Sequence, residues 1–135
     1  MSFAMDASAA VALHFLEERP PFETMEDRLA SGEEAFTAPN FYQAVMEALR
    51  GAIREGRTTS ALASAWLVAL DAYNVHPLLI HPCAGSATWI IAEQLNISAY
   101  DAVYIAVAKS RGAEHFSRDA VILRRAGKVG VKVKP

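Results

Sequence analysis

Apolar and polar positions along the 135 residues alternate between two periods. Short runs of consecutive apolar residues read as strands, and apolar residues recurring every three or four positions read as helices. The opening SFAMDA is an apolar run ending in Asp6 and predicts a first strand. Ala9, Ala12, Leu13 and Leu16 then share a helical face over residues 8–18, which Pro20 and Pro21 end. A weaker acidic helix is expected over 22–31 with Gly32 as its cap, then a strand over 35–38 stopped by Pro39. Two helices should follow: one from about 40 to 55, ended by Gly56, and one capped by Thr58 or Thr59 and running to about 73. In the second, Leu62, Trp66, Leu70 and Tyr73 fall on one face.

The run VHPLLIHP, bounded by Pro77 and Pro82, predicts a further strand. Helices are expected over 85–96, 98–110 and 119–126, with strands over 113–117 and 129–134. Strands alternating with helices imply a mostly parallel sheet covered on both faces, a three-layer α/β sandwich. No repeat, linker or low-complexity stretch interrupts residues 1–135, so a single domain is expected.

Composition narrows the class. Hydrophobic residues at 53% and charged residues at 21% exclude a disordered or fibrous chain. The apolar runs fall short of the ~18 residues of a membrane span, and the opening MSFAMDASAAV lacks the basic region of an export signal. Cys83 has no partner for an internal disulfide, which fits a reducing, cytoplasmic setting, and it reads as an inert buried thiol. The net charge of -2 conceals an asymmetry: residues 1–34 hold eight acidic and two basic residues, and residues 109–134 eight basic and two acidic. A basic flank beside an acidic site suits a phosphate backbone, although solvated surface charge explains it equally.

Ligands in open α/β sheets bind at the carboxyl ends of the strands, and Asp6 and Asp119 follow predicted strands. Each also reads as a helix-capping carboxylate, Asp6 with Ser8 beside it. Asp101 is more telling, being the only charge in the apolar helix AYDAVYIAVA. A buried carboxylate needs a cation or donors. The spacing of Ser98 and Asp101 also matches a capping box. His14, His76, His81 and His115 lack metal-ligand spacing and read as structural or surface residues, and Trp66 and Trp89 as core. No dinucleotide, Walker or nucleophile-elbow motif is present.

In order along the chain, MDAS, APNF, VMEALRGAIREGR, SAYDAVYIAVA, FSRD and VGVKV resemble the PIN-domain family, especially the toxin ribonucleases of VapBC toxin–antitoxin pairs. YDAVYIAVA together with SRD is fairly specific. The resemblance covers nearly the whole chain. It implies a five-stranded parallel sheet, RNA cleavage at an acidic pocket holding Mg²⁺ or Mn²⁺, an antitoxin protein partner, and homodimers in many members. Asp6, Asp101 and Asp119 match three of the family's acidic positions, and Ser117 its hydroxyl neighbour. One element departs. The family's glutamate position is Ala44, and Glu47 stands where an asparagine is usual. Glu47 either reaches the same pocket or is an exposed partner of Arg50 and Arg54.

The expected function is metal-dependent phosphodiester hydrolysis. Asp6 and Asp101 would be ligands, Asp119 a second ligand or water-positioner, and Ser117 an orienting group. Arg118, Arg124, Arg125 and Lys128 would hold the RNA backbone. The alternative is a catalytically weakened PIN-like module that binds RNA or protein, and a third reading is an unrelated α/β binding protein.

Overall fold

The computed structural model describes residues 1–79 and 82–135, without the side chains of 82–86. Five strands form one parallel sheet in the order β3-β2-β1-β4-β5, where β1 is Ser2–Met5, β2 Glu34–Thr37, β3 Val75–Pro77, β4 His115–Phe116 and β5 Val133–Lys134. Among the described residues seven α-helices connect them: α1 Ala7–Ala12, α2 Glu23–Ala30, α3 Phe41–Arg54, α4 Ser60–Asp71, α5 Pro82–Leu95, α6 Ala99–Arg111 and α7 Ala120–Arg125. This is the expected α/β sandwich.

Strand alternation sorts the core into two layers. Phe3 and Met5 of β1 enter one apolar cluster, with Phe22, Met25, Leu29, Phe41, Val45 and Leu49. Ala4, between them in sequence, enters a second with Ile91, Leu95, Ile105 and Ile122. The nearly all-apolar α6 is buried at Ala102 and from Tyr104 to Ala108, as expected of a helix apolar on most sides. Gly112 ends it at φ 58°, a left-handed conformation that lets the chain turn into β4.

Several boundaries differ from expectation. The first helix stops at Ala12 because the next amides, of Leu13, His14 and Phe15, bond three residues back in tighter turns. That turn points Leu16 to solvent instead of the core. Thr59, rather than Thr58, caps α4, accepting from the Leu62 amide at 3.2 Å. Leu62 itself is exposed while Leu70 is buried. Pro82 opens α5, a position where its missing N–H costs nothing. The strand expected over 75–82 is formed at Val75–Pro77, and its part at 80–81, with His81, lies outside the described residues. The Cys83 side chain lies outside them too. Trp89, expected in the core, is 64% exposed. The last strand shortens to Val133–Lys134 because Ala126–Val129 forms a 3₁₀ turn.

Candidate active site

The strand order reverses between β1 and β4, so the crevice beyond their carboxyl ends is where an open α/β sheet holds ligands. Asp6 leaves β1 there and caps α1. Its Oδ1 accepts from the Ala9 amide at 3.0 Å and from the Ser8 hydroxyl at 2.6 Å. Asp119 leaves β4 by way of Ser117 and caps α7, its Oδ1 accepting from the Val121 and Ile122 amides. Asp101 lies in the first turn of α6, whose N-cap is Ser98. All three are therefore at helix N-termini, where the amide dipoles favour negative charge. Asp6 and Asp119 thus each cap a helix and face the same crevice, whereas at α6 the cap is Ser98 and the Asp101 carboxylate makes no capping bond among the described residues.

Asp6, Asp101 and Asp119 line one cavity of about 150 Å³, with Asn40, Ala44 and Tyr104. Asp6 is buried, whereas Asp101 and Asp119 are half-buried, so Asp101 is less enclosed than its apolar helix suggested. Hydrogen bonds stitch the turn after β1 to the turn after β4. The Arg118 amide donates to Ser8 Oγ at 2.9 Å, the two serine hydroxyls of Ser8 and Ser117 are 3.4 Å apart, and Ser117 Oγ accepts from the Asp119 amide. Ser117 is fully buried, so it sets geometry beneath the pocket.

Two further residues bear on the site: Tyr104, which lines the cavity, and His115, expected to be structural or at the surface, which lies against Asp6. His115 is fully buried with Nε2 3.4 Å from Asp6 Oδ2, and its Nδ1 has no hydrogen-bond partner among the described residues. It lies two positions before Ser117 on β4, hence on the same side of the strand. Tyr104 lies three positions after Asp101 on α6, and its buried hydroxyl also lacks a partner among the described residues.

Burial alone would raise the Asp6 carboxyl, but hydrogen bonding and charge from His115, with Ser117 and Ser8, outweigh it and hold Asp6 below its ordinary value. Asp101 shifts the other way. Burial is the main cause; Ser98 opposes it, and the negative Asp119 and Asp6 add to it. Burial, then Asp6 and Asp101, push the Tyr104 phenol strongly up. The lining therefore concentrates negative charge without a Lys or Arg to balance it.

A hard divalent cation fits this donor set, since carboxylate oxygens are its preferred ligands and the unpartnered Tyr104 hydroxyl can accept from an ion-bound water. Among the described residues no three His, Cys, Asp or Glu side chains close into a ready-made cage. The open arrangement suits an ion that keeps part of its water shell.

Glu47 does not join the pocket. Its side chain is 77% exposed and sits 3.6 Å from Arg54, while Ala44 occupies the wall. On α3 the buried face is Phe41, Val45, Leu49 and Ala52, which turns position 47 outward and 44 to the cavity. Glu47→Gln is therefore expected to cost at most ~0.5 kcal/mol and to leave Mg²⁺-dependent activity unchanged. Thermal melts and metal titrations check both, and a weakened metal response would return Glu47 to the site.

The basic flank is partly spent on structure. Arg118 pairs with Glu18 at 3.0 Å, and Arg125 donates to the Leu95 and Asn96 carbonyls at 3.0 Å. Arg124 and Lys128 stay exposed.

Among solved structures, the chain is similar to PAE2754 from Pyrobaculum aerophilum, with 22% identity and a TM-score of 0.69 over 98% of this chain and 92% of that one. It is also similar to VapC20 of Mycobacterium tuberculosis, described as a Sarcin-Ricin loop cleaving toxin, with 17% identity and a TM-score of 0.64 over 98% and 99% of the two chains. At such identities these likenesses speak to the fold. A search of curated proteins finds no match. The sequence profile of the PIN domain matches residues 4–128. The chain thus belongs to the PIN domain family.

Proposed function

We propose that this protein is a metal-dependent ribonuclease, the toxin of a toxin–antitoxin pair, using Mg²⁺ or Mn²⁺ to hydrolyse RNA phosphodiester bonds. The observation that carries the reading is the meeting of Asp6, Asp101 and Asp119, remote in sequence, around one cavity with no lysine or arginine in its lining. Membership of the PIN family supports nuclease chemistry, and the fold shared with VapC20, the Sarcin-Ricin loop cleaving toxin, supports the toxin role.

Asp6 and Asp101 would hold the cation, and Asp119 would hold it or a water. When bound, the ion supplies Lewis-acid polarisation of the phosphate and a water of lowered pKa. The chain's own residues do the positioning. Ser8, the Ala9 amide and His115 fix both oxygens of Asp6, so its orientation is set before substrate arrives. Asp119 is anchored through one oxygen by the α7 amides, and the other has no hydrogen-bond partner among the described residues. Arg124 and Lys128 are the flank cations left to hold the RNA backbone.

Met46, Leu49 and Ile53 of α3 and Ala63 and Leu67 of α4 line one groove, a surface suited to an antitoxin helix or a second copy of the chain. Among the described residues no helix is long and apolar enough to cross a membrane.

The test is hydrolysis of single-stranded RNA with Mg²⁺ or Mn²⁺, its loss with chelator and its return with metal. Metal-independent cleavage, or none with either ion, rejects the reading. Alanine at position 44 favours the second reading, a weakened module that binds RNA or protein. Ala44→Glu, which adds a carboxylate to the wall, is expected to lower the Mg²⁺ needed for half-maximal cleavage several-fold. An unaltered metal titration would show that the missing carboxylate is not what limits the site.

A further inference from the structure

We infer that the apolar hollow formed by Pro39, Asn40, Ala99, Tyr100 and Val103 is a nucleobase subsite, seating one base of single-stranded RNA beside the scissile phosphate. The inference rests on the ribonuclease reading and extends it to how a neighbouring nucleotide is chosen. The hollow is shallow and open to solvent, with a volume of about 320 Å³, at the lower end of small-ligand sites of roughly 300–1,000 Å³. It adjoins the carboxylate cavity, and Asn40 and Tyr100 line both. A guest spanning the pair would meet carboxylates on one side and an apolar surface on the other. A nucleotide suits that pairing.

Two side chains are placed for such a guest. Tyr100 directly precedes Asp101 in the first turn of α6 and is 74% exposed, a large ring left open to solvent at the mouth of an acidic site. Asn40 is the N-cap of α3 yet makes no capping hydrogen bond, although asparagine there ordinarily bonds the helix amides. Its amide has no other hydrogen-bond partner among the described residues and, because the hollow's own surface is almost wholly carbon, it lies where the hollow meets the carboxylate cavity. Pro39, Ala99 and Val103 supply carbon walls that offer no counter-charge to a phosphate or a cation.

Single-stranded RNA is read in this way, by stacking on aromatic rings and hydrogen bonds to base edges. Stacking tolerates any base. The choice among bases falls to Asn40, whose amide can pair with adjacent acceptor and donor atoms of one base edge.

The test uses residues 1–135 with Mn²⁺ and a pool of oligoribonucleotides randomised on both sides of the cut. Wild type is expected to prefer one base at one flanking position. Tyr100→Ala should raise KM about 5- to 150-fold, the range of losing one stacked base, with kcat little changed. Tyr100→Phe should behave as wild type. Asn40→Ala should flatten the base preference. A metal-free arm separates this subsite from the ribonuclease reading. An oligoribonucleotide carrying 2-aminopurine should be quenched by wild type and not by Tyr100→Ala, even if no cleavage occurs. Failure of cleavage with quenching retained counts against the nuclease alone. Equal KM, equal base preference and equal quenching in a folded Tyr100→Ala overturn the subsite, and would assign the hollow to an apolar side chain of a protein partner.

Discussion

Asp101→Asn is expected to reduce metal-dependent RNA cleavage more than roughly 100-fold, beyond the 10- to 100-fold typical of losing an outer partner of a metal ligand. The fold should survive. Ser98 caps α6 through the backbone amide of residue 101, which the substitution leaves in place. Without metal the variant should be as stable as wild type or more so near neutral pH. Asp101 titrates above its ordinary value in the folded chain, mainly through burial and with help from Asp119 and Asp6, so its ionised form opposes folding. The sign follows from linkage. A carboxyl raised on folding binds its proton more tightly when folded, so stability falls as pH rises from the unfolded value through the folded one. The advantage of Asp101→Asn should therefore shrink as the medium is acidified and Asp101 becomes neutral in both states. Melting curves of metal-free protein across pH, beside cleavage rates with Mn²⁺, check both halves. A variant that unfolds would make Asp101 a structural residue.

The largest effect on stability should come from the opposite end of the sheet. Arg28 pairs with Glu33 at 2.5 Å and with Glu114, and its guanidinium lies 4.5 Å from the Phe3 ring centroid. Lys134 adds a contact to Glu114 at 3.1 Å. Arg28, Glu33 and Glu114 are half-buried, with Arg28 showing 18% of its side chain to solvent, while Lys134 is more exposed. Arg28→Ala strands Glu33 and removes a cation stacked on the core, for a cost of about 3 kcal/mol. In a chain of this size that lowers Tm by about 10 °C. Cleavage per folded molecule should be unchanged, because Arg28 sits by the amino ends of β1 and β4 and the pocket lies beyond their carboxyl ends.

Burial would raise the Glu114 carboxyl, but hydrogen bonds and charge from Lys134 and Arg28 prevail and lower it. That stabilisation is complete above the unfolded-state value and is lost as pH falls through the folded one. The gap between wild type and Arg28→Ala should therefore narrow below about pH 4. A pH-independent gap would mean that Arg28 acts through packing alone.

The class of fold was legible because each β/α unit carries its own period, and period is a local property. Asp101 stood out for a related reason: one charge in an otherwise apolar helix conflicts with its surroundings, and a conflict can be read without a structure. His115 could not be found that way. Its meeting with Asp6 depends on β1 lying beside β4 with Met5 opposite Phe116, a register between segments that share no neighbouring sequence. Glu47 and Ala44 were harder still. They differ by less than one helical turn, and the phase of α3 depends on Phe41 and Leu49 finding the core. Trp89 was misplaced because an apolar residue on an apolar helix carries no mark of which side faces solvent.

The adjacency of β1 and β4 also has a kinetic meaning. Ala4 is in register with His115, so nearly the whole chain forms the loop that this pairing closes. Closing so long a loop comes with an entropic barrier that must be met before the contacts reward it, and topologies of this kind fold slowly. A chain still emerging from the ribosome would hold Asp6 at the end of its first strand with neither His115 nor Asp119 beside it. The acidic pocket would then come into being only after synthesis has passed α7.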